Sequence, residues 1–218
     1  MPLTKQVQYK QFRFVLMVGF SCAVLLTLAN SILRPLYEKN RLENFYNSLS
    51  KFYSNPITSK EISNIKVLRF NSQLKFSEIS PNQISEVIND KKNCYLLLTS
   101  NREVPKVYVI NVKGIWGVIT LMVGVAADNN TISKVIVLQQ NETPGLGANI
   151  TNKKFLAKFD GNKLLLDLKY ILHLSKKKSL EENGLDGISG ATVTSNAVSR
   201  AFRLIYLANA KFKIGGNK

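Results

Sequence analysis

The sequence predicts an α+β fold, one antiparallel sheet with helices packed on it, preceded by a single transmembrane helix. Three observations carry this expectation. The first is a succession of short, β-branched runs: Tyr95–Leu98, Val107–Val112, Ile115–Ala126 and Ile132–Leu138. Runs of this length between turn residues read as strands. The second is an amphipathic pattern over Ser195–Ala210, with Ala197, Val198, Ala201, Phe202, Ile205 and Leu207 or Ala208 on one face. The third is an unbroken apolar stretch, Phe14–Ala29, close to the N-terminus.

With its flanks that stretch covers Phe12–Leu33. At the helical rise it spans roughly 33 Å, enough for a bilayer core. It is too long for the apolar region of a signal peptide, and no small-residue cleavage site follows. An uncleaved anchor in membrane lipid is expected. Lys5, Lys10 and Arg13 lie at one end and Arg34 at the other. The short basic tail favours a cytoplasmic N-terminus, with the remaining domain on the outer side of the cytoplasmic membrane.

Beyond the anchor, Leu36, Leu42, Phe45, Tyr46, Leu49, Phe52 and Tyr53 fall at helical spacing, and Asn55-Pro56 ends that helix. Ile57–Asn93 gives little signal besides a turn at Ser80-Pro81-Asn82 and a short helix over Ile84–Ile88. Asp128-Asn129-Asn130 reads as the hairpin turn between the last two strands, and Gly114 punctuates the pair before it. Lys153–Phe159 reads as a short helix capped by Thr151 or Asn152 and stopped at Gly161, and Leu164–Leu174 as a further strand. Thr194 or Ser195 is the natural N-cap of the last helix.

Charge and composition exclude several classes. There are 30 lysines and arginines against 14 acidic residues, a formal net charge of +16. The positives are mostly lysine and are scattered, and the longest run, Lys176–Lys178, has no aromatic interleaving. A nucleic-acid partner is not expected. Cys22, Cys94 and His173 are too few for a metal cluster, and His173 sits in an apolar strand pattern. No iron–sulfur cysteine spacing and no nicotinamide fingerprint is present. No residue is assigned a catalytic role.

The chemistry concentrates in Asp186–Ser195, DGISGATVTS. Four hydroxyl side chains and two glycines stand where a helix begins. Unpaired N–H groups of a first turn favour an anion there, and Gly190-Ala191 admits a bulky group. Capping and a tight turn alone would account for the same residues.

The segment resembles the flavinylation motif D-x-x-[S/T]-G-A-[S/T] of the FMN-binding domain family, with Asp186, Ser189, Gly190, Ala191 and Thr192 matching in order. That family includes the G subunit of the Rnf electron-transport complex and the C subunit of the sodium-translocating NADH:quinone oxidoreductase. The resemblance implies FMN held covalently through its phosphate on Thr192, with Ser189, Gly190, Ala191 and Val193 around it. It also implies a separate flavin transferase that uses FAD and magnesium. Glu142-Thr143-Pro144-Gly145-Leu146-Gly147 resembles a segment shared by both subunit types. This adds Glu142, Thr143, Gly145, Leu146 and Gly147 as cofactor-binding residues, the turn offering N–H groups and Leu146 an apolar contact to the ring.

The resemblance covers roughly Lys113–Leu207. The organisation expected is a tail over 1–11, a transmembrane helix over 12–33, a helical and mixed membrane-proximal region over 34–93, and an FMN-binding domain over 94–212. Ile119–Val125 and the short chain favour the Rnf type, a ferredoxin:NAD oxidoreductase, which is the type expected; Gly114–Trp116 and Asp186–Ser189 look equally like the NADH:quinone oxidoreductase type, a first alternative. Either implies an electron relay among other membrane subunits of an ion-translocating complex. A free-standing anchored flavoprotein is a second alternative, and a tethered binding domain without redox chemistry a further one.

Overall fold

The computed structural model describes residues 3–53, 65–90, 95–99, 105–164 and 187–215. The chain divides into two compact units, 1–43 and 44–218.

The first unit is helical. Helix α1 runs Leu3–Leu49 without interruption, so the anchor and the helix expected after it form one element. Pro35 lies inside it and removes one backbone donor without ending the helix. Among the described residues it is the one helix long and apolar enough to cross a membrane. Three of its hydroxyls are satisfied within the helix. Ser21, Thr27 and Ser31 donate to the carbonyls of Met17, Ala23 and Thr27 at 2.9, 2.8 and 2.8 Å. Such back-bonding hides hydroxyls from an apolar surround.

The second unit is built on a six-stranded sheet. Its strands are β1 (Lys66–Phe70), β2 (Phe76–Glu78), β3 (Tyr95–Thr99), β4 (Lys106–Lys113), β5 (Val118–Val125) and β6 (Ile132–Gln139). The order is β2-β1-β3-β4-β5-β6 and every neighbouring pair is antiparallel. Helices α2 (Ile84–Asn89), α3 (Lys153–Leu156) and α4 (Thr192–Gly215) complete it.

The central strands are buried on both faces, so they read as continuous apolar runs rather than alternating ones. One face, with Leu97, Tyr108, Ile110, Leu121 and Val123, packs on Ala197, Val198, Ala201, Phe202 and Ile205 of α4. Phe202 stacks on Phe159 with ring centroids 4.8 Å apart. The alternate residues Leu96, Leu98, Val107, Val109 and Met122 are buried too. On that face Asn111 accepts a 2.7 Å hydrogen bond from Thr120 across the β4–β5 pair and donates to Asp90 O, just after α2, at 3.1 Å.

Four expectations change in the folded chain. The region 34–93, read as helical and mixed, contributes β1 and β2 to the sheet. Arg69 interrupts the apolar run of β1, and β2 is three residues with no buried position, so neither shows a clean period. Strand β5 begins at Val118 rather than Ile115, because Gly114 N bonds Gly117 O at 2.8 Å and turns the chain. Helix α3 ends at Leu156, with Asn152 as its cap. Helix α4 starts three residues before Ser195. Asp186, His173, Cys94, Lys176–Lys178, Asn55-Pro56 and the strand expected after Leu164 lie outside the described residues.

The Asp128-Asn129-Asn130 hairpin is present. Asp128 Oδ1 accepts from the backbone N–H of Asn130 and Thr131, both at 2.9 Å. The Thr131 hydroxyl and these two amides hold the Asp128 carboxyl below its ordinary value. Its contribution to the hairpin is full above the unfolded carboxylate pKa and is lost as pH falls through the depressed one.

The far end of α4 is fixed by a buried network. Tyr108 donates to Asn209 Oδ1 at 2.9 Å, and Asn209 Nδ2 donates to Asn129 O at 2.8 Å. Burial raises the Tyr108 phenol well above its ordinary value, so it stays a donor. Tyr108→Phe leaves a buried carbonyl oxygen without that donor and is expected to cost about 1–3 kcal/mol in urea unfolding.

Phe45 and Leu49 are buried within the second unit. A variant beginning at residue 44 is therefore expected to fold cooperatively. One beginning at residue 54 loses both side chains and is expected to be destabilised by roughly 5 kcal/mol or more, summing ordinary large-to-small core losses.

Candidate functional site

Helix α4 begins at Thr192 because the chain turns sharply just before it. Gly190 has φ +77°, a conformation that favours glycine. Ala191 N then bonds Ile188 O at 3.0 Å, and Ala191 O accepts the first helical bond, from Ser195 N at 2.9 Å. Neither Thr194 nor Ser195 acts as N-cap. Both are fully buried in the first turn, and their hydroxyls reach sideways. Thr194 donates to Glu142 Oε2, and Ser195 Oγ accepts from Ile188 N at 3.0 Å. Ser189, Gly190, Thr192 and Val193 are exposed, while Ala191 is buried. No acidic residue of the helix itself stands in the first turn, and the helix N-terminus favours an anion.

The Glu142–Gly147 segment leaves β6 and folds back on this helix start. Leu146 N and Ala148 N both bond Thr143 O, at 3.2 and 3.0 Å, and Gly145 takes φ +75°. The turn presents Leu146, 44% exposed, beside the Gly190 turn: a Cβ on Gly190 would lie 3.1 Å from Leu146 Cδ2. Gly147 lies against Thr194, where a Cβ would come 2.6 Å from Oγ1. The two motifs, distant in sequence, thus form one surface.

A third segment joins them that sequence reasoning did not assign to the site. The Gly114–Gly117 turn displays Ile115 and Trp116, 49% and 71% exposed. Ile115 N and Trp116 N donate to Glu142 Oε1 at 3.0 and 3.2 Å, and Trp116 Nε1 donates to Thr143 Oγ1 at 2.9 Å. A signal for it stands in the sequence: the chain's single tryptophan lies between two glycines. Glu142 itself is 5% exposed, with both oxygens engaged by the protein. Around Thr192 there is therefore an exposed apolar rim, Ile115, Trp116, Leu146 and Val193, beside a helix N-terminus.

Residues 114–206 match the FMN-binding domain family. The matched span takes in all three segments of the site, from the Gly114 turn to the body of α4. The chain is also similar to the C subunits of two Na(+)-translocating NADH-quinone reductases. The one from Vibrio anguillarum is 38% identical over 49% of this chain and 43% of its own length. The one from Pasteurella multocida is 41% identical over 42% of this chain and 36% of its own. The matched region spans less than half of each relative. A crystal structure of the C subunit of the Na(+)-translocating NADH-quinone reductase from Parabacteroides distasonis shares the fold. Its TM-score is 0.54 at 22% identity, over 79% of this chain and 89% of that one.

The residues present suit the cofactor of an FMN-binding domain. A phosphate is suited by a first turn whose N–H groups have no helical acceptor and which contains no acidic residue of its own. A flat ring system is suited by the apolar rim. Among the described residues no group of three or more His, Cys, Asp or Glu could hold a metal.

Proposed function

We propose that this chain is the electron-transfer subunit of a membrane oxidoreductase complex and carries FMN as a phosphoester on Thr192. The observation that carries the reading is the sorting of hydroxyls at the start of α4. Thr192 is exposed at the first helical position, whereas Thr194 and Ser195 are buried and engaged. In the attachment the Thr192 oxygen forms its bond to the flavin-side phosphorus of FAD. The P–O–P link breaks, AMP leaves, and the hydroxyl proton is released. A separate transferase supplies the magnesium and the FAD site.

The bound flavin supplies reversible electron transfer. The chain's own part is to hold it. The first turn of α4 receives the phosphate, Gly190 and Gly145 allow their turns, and Leu146 and Val193 offer apolar surface. The exposure of this rim supports a relay that takes electrons from one partner and passes them to another. Residues 12–33 anchor the chain by a single span, with the FMN domain on the outer side and the remaining subunits supplying the ion path. The relatives named above favour a complex of the sodium-translocating NADH:quinone oxidoreductase kind. Ile119–Val125 favours Rnf, and co-purification of the neighbouring subunits separates the two.

The test is peptide mass spectrometry on protein from its native host. FMN less one water is expected on the Thr192 peptide. An adduct on Thr194 or Ser195, or a colourless protein, would refute the assignment.

A further inference from the structure

Glu142, in its own segment, bonds to both of the other segments of the site. Its Oε1 accepts two backbone amides of the Gly114–Gly117 turn, and its Oε2 accepts the Thr194 hydroxyl. All three neighbours are donors to its two oxygens. The space around it is kept by glycine. A Cβ on Gly114 would fall on Oε1, and one on Gly147 would lie 3.0 Å from Oε2. Trp116 is largely exposed yet tethered through its indole N–H to Thr143, the residue next to Glu142. An exposed indole held in one orientation is a prepared surface rather than a solvated side chain.

We infer that Glu142 is a positioning residue: it fixes the Ile115–Trp116 turn against the start of α4, and so sets the surroundings of a ring held at Thr192 without touching it. The first half stands on the geometry alone; the second rests on the flavin reading. Loss of the carboxylate frees two turn amides and the Thr194 hydroxyl together, so the turn loses its link to the helix. Glutamine keeps one oxygen for the two amides. Its NH2 then faces a hydroxyl that can rotate to accept. Glu142→Gln therefore preserves the link and Glu142→Ala does not. Thr194→Val cuts it at the helix end and leaves Glu142 in place.

Trp116 is the only tryptophan, so its fluorescence reports on this turn alone. The experiment compares full-length wild type, Glu142→Gln, Glu142→Ala and Thr194→Val, each without flavin and with the Thr192 adduct verified by mass. Without flavin, the indole anisotropy is expected to fall in Glu142→Ala, to fall less in Thr194→Val, and to stay near wild type in Glu142→Gln. With flavin, the absorbance bands and the quenching of the indole should shift in the same order. Far-UV circular dichroism checks folding; should Glu142→Ala not fold, the Gln and Val variants carry the comparison. Wild-type anisotropy in every folded variant would overturn the clamp. Loosened turns with unchanged flavin spectra would overturn the positioning role while leaving the flavin reading intact. A wild-type protein lacking the adduct would sink the flavin half alone.

Discussion

Thr192→Ala yields a folded protein without flavin. In-gel flavin fluorescence is expected to vanish completely, because no other exposed hydroxyl stands on the first turn of α4. Stability should change by no more than about 0.7 kcal/mol, since the side chain is exposed and alanine is the better helix former. Thr192→Ser keeps the nucleophile and is expected to keep the colour. Within the assembled complex, Thr192→Ala should leave assembly intact while electron transfer and ion transport both stop. Those two rates, measured beside the amount of each subunit, decide the matter. An alanine variant that still transports ions would make the flavin peripheral and favour a binding domain instead.

Gly147→Val is expected to have the next largest effect, through space rather than backbone strain. A Cβ alone would meet Thr194 Oγ1 at 2.6 Å and Glu142 Cβ at 2.9 Å. Both neighbours belong to the buried link between β6 and α4, so neither moves without breaking it. Overpacking of this kind costs roughly 1–3 kcal/mol, and a branched side chain falls at the upper end. The flavin spectrum should shift although the Thr192 adduct remains. Gly145→Ala is the control. Its Cβ enters open space, and only the positive φ resists it, at roughly 1–2 kcal/mol. A Gly147→Val protein with wild-type melting and spectrum would show that the close approach is not needed.

The parts of this molecule that can be read from sequence are those whose signal is local. Strands β4 and β6 follow from β-branched runs with turns between them, and the Asp128 hairpin from its own side-chain acceptor. The face of α4 follows from its period. Strand β1 could not be read, because its pairing to β3 depends on a partner further along the chain and Arg69 disguises the apolar run; β2, which pairs with β1, is three residues with no buried position. The start of α4 differs from its expected place for an instructive reason. Threonine and serine favour N-caps because their oxygens satisfy first-turn amides. Here Thr194 and Ser195 spend those oxygens on Glu142 and on the Ile188 amide, so the helix extends past them to Thr192. The two motifs were each legible. That Glu142 ties the second to a glycine-flanked tryptophan was not, since a hydrogen bond to a backbone amide leaves no trace in residue type.

The separation of the partners that meet at Glu142 has a consequence for biogenesis. Its donors lie 26 or 27 residues upstream and 52 residues downstream. Such loops must close before these contacts contribute, so the helix start that displays Thr192 is assembled only with the sheet. A nascent chain carries the motif as letters, without the presented hydroxyl. Installation of the chromophore would then follow folding, and the yellow colour per molecule would serve as a count of the chains that had folded.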